Sequence, residues 1–244
     1  MLVALGAAVG AAESAALTDE EERWLHAGAL VLEHADSKQM RLDVIVQPHW
    51  RVGDPPLAMA FIDGRCKLVL SMRGNPQTPS LLRGAHAALV PVLMEAVMAH
   101  EVGHCWRHRQ GAWHRPAAGP APPEANSRIH DDFAVERRQM HDTRMEEAYA
   151  DLAALAWTAG RHPARYAEVQ AWLASVRGDP PVRHGHHDTG AWVRFAAESR
   201  VFDDASQPFE QAHAVWQRSF GKGLISTLET AVDRSPPLAI LHEH

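Results

Sequence analysis

The sequence predicts an α+β fold that is predominantly helical, with one small sheet preceding a long central helix. Three observations carry this. Alternating or continuous β-type apolar runs occur only between about residues 42 and 72, whereas the remainder shows helical spacing with recognisable caps. The chain has 244 residues, 46% of them hydrophobic and 22% charged, which suits one domain with a full core of its own. No tract is biased enough to argue for a disordered chain.

Taken in order, residues 1–17 (MLVALGAAVGAAESAAL) read either as a loose N-terminus or as the remnant of a secretory signal that lacks its basic start. The domain proper is expected over 18–244. Thr18 and Glu21 form a capping box for an amphipathic helix that ends near His34. LDVIVQ and then LAMAFIDGRCKLVLSM read as strands, the latter two joined at Asp63-Gly64, a pair suited to a two-residue hairpin. Pro91 opens a helix that continues unbroken through MAHEVGHCWRHR. Residues 110–126 are rich in Pro and Gly and read as an irregular lid or surface loop. Thr143 begins a second capping box, TRME, and its helix is expected to run to Gly160. Further helices are expected after Pro163, near 190–200, at 207–219 and at 223–233, followed by a disordered tail, PPLAILHEH.

The chemistry concentrates in HEVGH. On a helix, His100 and His104 project from one face, so both imidazoles can reach a single zinc ion, and Glu101 lies beside them without being a ligand. Leu93 and Val97 continue the same stripe, so the pair faces the core, where unliganded histidines are costly. In TRMEEAYADLAALAW, Glu147 and Asp151 are again four apart. Glu147 can complete a site of two histidines and one glutamate, and Asp151 can accept the free ring N–H of a ligating histidine. Glu146 is the competing ligand, although its expected place is exposed, at the helix cap. Cys105 faces away from His104 and reads as a packed thiol; a single bridge to Cys66 stays possible. His108 is expected at the helix end, too far along the axis to share the ion.

HEVGH followed by EAYAD resembles the HExxH and ExxxD pair of gluzincin zinc peptidases, and the surroundings are similar to the HtpX-like and CAAX prenyl endopeptidase-like members. The likeness spans roughly residues 58–195 and includes AWTAGRHP and HHDTG. It implies a zincin-like fold, one zinc per chain held by His100, His104 and Glu147, Glu101 as the base, and a downstream histidine that steadies the oxyanion. His186 fits that last role by its distance to Thr189, with His184 and His187 as rivals. The arginine six residues after that histidine is Trp192 here, with Arg194 two places late.

The expected activity is metalloendopeptidase cleavage of extended or unfolded segments by a metal-activated water. Leu68, Val69 and Leu70 are expected to offer a strand edge for the substrate backbone. The alternatives are a non-catalytic zinc-containing binding or chaperone-like module on the same fold, and a zinc hydrolase of a small amide. A formal charge of −6 with dispersed basic residues argues against nucleic acid as a partner, and no apolar run reaches the roughly 18 residues of a membrane helix. Oligomeric state is not legible. Location is left open, with the cytoplasm slightly favoured and export expected if 1–17 is a truncated signal.

Overall fold

A computed structural model of the chain describes residues 16–111, 131–182, 185–203 and 206–221. Among these residues helices predominate, and one three-stranded sheet completes an α+β arrangement. No described helix is long and apolar enough to cross a membrane.

The Thr18 capping box forms: the Thr18 hydroxyl accepts from the Glu21 N–H, and the Glu21 carboxylate accepts from the Thr18 N–H. The helix it starts is shorter than expected. Helix α1 (Asp19–Ala27) ends at Gly28 and α2 (Ala29–Ser37) follows at once. Gly28 presses on the middle of α3 (Val90–Arg109), where a Cβ would lie 2.5 Å from Met98 Cε, so a side chain here would drive the two helices apart.

Strands β1 (Leu42–Val46), β2 (Leu57–Ile62) and β3 (Arg65–Leu70) form a sheet in the order β1-β3-β2. Asp63 and Gly64 both have positive φ, 51° and 70°, the backbone that a tight β2–β3 hairpin needs. β3 then pairs antiparallel with β2 and parallel with β1. This corrects one expectation. Leu68, Val69 and Leu70 offer no free edge, because β3 is the central strand with its backbone engaged on both sides, and Leu68 and Leu70 are fully buried in the core. The edge on the hairpin side belongs to β2.

Helix α4 (Asp131–Arg161) starts a dozen residues before the expected Thr143. ERRQMHD, just ahead of TRME, contains neither Pro nor Gly, so the local capping signal loses to continued backbone hydrogen bonding. α4 packs along α3, and its other side carries α7 (Pro208–Gly221). Gly103, inside HEVGH, sets the α3–α4 spacing: a Cβ there would sit 2.8 Å from the Ala153 Cβ. α5 (Tyr166–Gly178) and the short α6 (Gly190–Phe195) close the far side of α4.

Cys105 is not a packed thiol. It forms a disulfide with Cys66 that ties α3 to the central strand, both residues being fully buried. The expectations for residues 1–15, the helix at 223–233 and the C-terminal tail fall outside the described residues, as does the 110–126 loop apart from Gln110 and Gly111, which turn the chain at the end of α3.

Candidate metal centre

The close α3–α4 contact at Gly103 brings one face of HEVGH against one face of EAYAD. His100, His104 and Glu147 each contribute one atom to a cluster whose members all lie within 4.8 Å of one another. The pairwise separations are 3.3 Å between the two Nε2 atoms, 3.4 Å from His100 Nε2 to Glu147 Oε2, and 3.6 Å from His104 Nε2 to Glu147 Oε1. A tetrahedral ion with bonds of about 2.1 Å spaces its ligands by about 3.4 Å. The donor set and its spacing therefore suit a divalent cation with three protein ligands. The alternative ligand Glu146 is excluded: it is buried on the other side of α4, in a two-toothed ion pair with Arg107.

Asp151 orients the site. Its Oδ1 accepts from His100 Nδ1 at 3.1 Å, which leaves Nε2 turned toward His104 and Glu147. The carboxylate is itself held from two more sides. Arg177, at the end of α5, donates to both its oxygens at 2.8 and 2.6 Å, and the Thr189 hydroxyl, at the start of α6, donates to Oδ2. The sequence reading missed Arg177. A buried carboxylate beside a histidine demands a cation, but nothing in the local pattern of α5 singles out residue 177 as the one that folds back 26 positions.

Of the downstream histidines among the described residues, the one beside the cluster is His187, not the expected His186. His187 Nε2 lies 3.4 Å from Glu147 Oε2, whereas His186 is exposed and its ring lies tilted against that of His187, with centroids 4.1 Å apart. His184 lies outside the described residues. The reason is local: Thr189 is fixed on Asp151, and the ring reaching back from there is the one two positions earlier. His108 lies at the helix end and stacks on Phe61 of β2 at 4.0 Å.

The electrostatics separate the groups by role. Burial pushes the Glu101 carboxyl up to about 7, with the nearby Glu147 adding to the rise, while His100, the Met59 N–H and Arg177 pull the other way. Burial alone would raise Glu147 too, but His100, His104 and His187 around it hold it well below the usual carboxylate range. Burial lowers His104 to about 4 and His187 to about 4. His100 goes the other way: burial opposes its charge, but Asp151 and Glu147 raise it to about 10.

One cavity adjoins the cluster. His100, Glu101, Asp151, Arg177 and His187 border it, and so does Leu57, the first residue of β2. Glu101 accepts the backbone N–H of Met59, which turns away from β3, so the outer edge of β2 runs alongside the glutamate. No family model matches the chain, and neither the curated proteins nor the solved structures include one that is significantly similar to it.

Proposed function

We propose that the chain is a zinc-dependent metalloendopeptidase of zincin-like architecture that cuts extended or unfolded peptide segments. The observation that carries this reading is the coexistence of three converging ligands, His100, His104 and Glu147, with an unliganded glutamate, Glu101, beside them. A purely structural ion has four protein ligands and no use for a base next to it. Zinc is the metal favoured by two imidazoles and one carboxylate in tetrahedral spacing, and the resemblance of HEVGH and EAYAD to the gluzincin motifs points the same way.

Bound at this site, zinc supplies Lewis acidity, which makes water a usable nucleophile near neutral pH and polarises a carbonyl. Glu101, partly desolvated, accepts the proton of the attacking water and returns it to the departing amine. His187, whose Nε2 lies 3.4 Å from Glu147, would donate to the oxygen that becomes negative as the carbonyl carbon turns tetrahedral. Asp151 fixes the His100 ring, and Arg177 and Thr189 fix Asp151. The β2 edge pairs with the substrate backbone, which favours an extended segment over a folded one.

The test is Glu101→Gln measured against the wild type. The variant retains one zinc per chain by elemental analysis and loses cleavage of an unfolded casein-like substrate by about 100-fold or more. Wild-type protein that holds zinc and cuts no peptide would leave a binding module as the reading; one that cuts only small amides would make it an amide hydrolase.

A further inference from the structure

Glu101, Cys105 and His108 lie at positions i, i+4 and i+7 of α3 and so share one stripe of that helix. Each is tied to the sheet. Glu101 accepts the Met59 N–H of β2, Cys105 is disulfide-bonded to Cys66 of β3, and the His108 ring stacks on Phe61 of β2 with centroids 4.0 Å apart. These contacts are in register with one another: Phe61 pairs with Cys66, and Met59 lies two residues back along β2. The ligands His100 and His104 face α4 instead, at the spacing that Gly103 allows. Ligands and base thus take their positions from different neighbours.

Met59 can give its N–H to Glu101 because the sheet does not use it. The Ser71 N–H donates to the Pro56 carbonyl at 2.8 Å, which makes residues 56 and 71 a hydrogen-bonded pair of the antiparallel ladder. Alternation then turns the backbone groups of Ala58 and Ala60 toward β3 and those of Leu57 and Met59 outward. A carboxylate has two oxygens, so one held on an N–H leaves the other to take the proton of the attacking water. A glutamate without such a hold spreads over several staggered rotamers, and only the fraction turned toward the ligands can act. We infer that Met59 is a positioning residue: its backbone N–H holds Glu101 in the orientation of the base, and a substrate pairing with β2 forms its ladder without that N–H. The role of base rests on the peptidase reading; the anchor rests on the strand register and the α3 stripe. What matters at position 59 is then the N–H and not the side chain.

Kinetics and hydrogen exchange test this separately. Met59→Pro removes the N–H at an outward position of an edge strand, where proline is tolerated, and Met59→Leu keeps it. On a labelled, unfolded casein-like substrate, Met59→Pro is expected to hold its zinc and its KM and to lose kcat by about 10-fold or more. Met59→Leu should recover most of that kcat. A Met59→Pro kcat at the wild-type level overturns the inference, and a raised KM with it would show the N–H serving the substrate instead. An equal loss in Met59→Leu also overturns it, because the side chain would then be what acts. Amide exchange of the metal-free protein reads the anchor without any activity, and it carries the test if Met59→Pro does not fold. The Met59 amide should exchange about 10-fold or more faster in Glu101→Ala than in the wild type, while the Ala60 amide, which faces β3, keeps its rate. Equal Met59 exchange in the two proteins overturns the anchor. A wild type that cuts no peptide sinks the peptidase reading alone, and the exchange result still decides whether Met59 holds Glu101.

Discussion

Glu146 and Glu147 are neighbours on one helix, yet they belong to two opposite kinds of buried charge. Successive helical positions diverge by about 100°, so one carboxylate turns toward α7 and the other toward HEVGH. Glu146 meets Arg107 in a pair with both side chains 1% exposed, and the guanidinium also lies 4.2 Å over the Trp216 ring and 5.2 Å over Tyr149. His213, its pKa lowered by burial and by Arg107 itself, completes that surround. Opposite charges there are matched by a partner of ideal shape. On the other face, Glu147 has no single matched partner: His100, His104 and His187 lie at 3.4, 3.6 and 3.4 Å, and Arg177 at 4.0 Å. The same two helices thus build one closed ion pair and one cluster of three side chains that could hold a cation. Charge closure separates scaffold from site here better than burial does.

The sharpest way to break this comparison is to exchange the fates of the two glutamates. Glu147→Ala should abolish the one-per-chain zinc content and cost the metal-free protein less stability than Glu146→Ala, because Asp151 still pairs with His100. Glu146→Ala should do the reverse, costing about 3–5 kcal/mol because Arg107 is left buried without its carboxylate. Zinc content of the folded fraction should stay near one. Denaturant melts and elemental analysis on both variants decide it, and zinc loss in folded Glu146→Ala would mean that the two clusters are not independent.

What the sequence revealed divides along a similar line. HEVGH, the Asp63-Gly64 hairpin and the Thr18 cap are legible because each is set by neighbours within one turn of chain. Glu147 and Asp151 are legible as a pair for the same reason. The unread parts depend on partners far apart in sequence. Nothing near Leu68 says that β1 will pair with it in parallel and bury its edge, and nothing near Arg177 points back to Asp151. Glu146 was misplaced because a four-residue capping pattern at Thr143 competes with a helix that continues straight through it. His187 displaces His186 by one position because a loop carries no periodicity that would orient its side chains.

The Cys66–Cys105 disulfide joins α3 between the two clusters in sequence, since Cys105 follows His104 and precedes Arg107 by two. Its loop separation of 39 residues suggests a contribution of about 3–4 kcal/mol, mainly by restricting the unfolded chain. Cys66→Ala/Cys105→Ala should lose that stability in denaturant melts, with the zinc content of the folded fraction retained if Gly103 and the α3–α4 contact alone define the ligand spacing. A zinc affinity that falls in step with stability would instead make the sheet a third wall of the site. Pairing of this kind persists in oxidising compartments. Thiol labelling of protein recovered from its native location should therefore find neither cysteine free.

Asp151→Asn probes how much of the metal site is orientation rather than ligation. The amide keeps a hydrogen-bond acceptor for His100 but loses the charge that Arg177 and the ring share. Zinc affinity should fall about 10- to 100-fold, measured by competition with a chelator. An unchanged affinity would show that Arg177 and Thr189 serve only the loop carrying His187.

The smallest effect belongs to a third carboxylate, Glu21, which joins features of both clusters. It is fully buried and pairs with Arg73 at 2.8 Å, but the arginine side chain is 19% exposed, so the pair is closed chemically and open to water on one side. Burial alone would raise the Glu21 carboxyl; Arg73 and the Thr18 cap more than offset this and lower it. A carboxyl lowered in the folded state stabilises fully above its ordinary value of 4.5 and loses that contribution as pH falls through the lower folded value. Arg73→Gln removes the main lowering partner, so the acid limb of a stability–pH curve should become shallower below pH 4.5 while the variant is somewhat less stable at pH 7. An acid limb that keeps its slope in Arg73→Gln would mean that the Thr18 cap, rather than the arginine, holds Glu21 ionised.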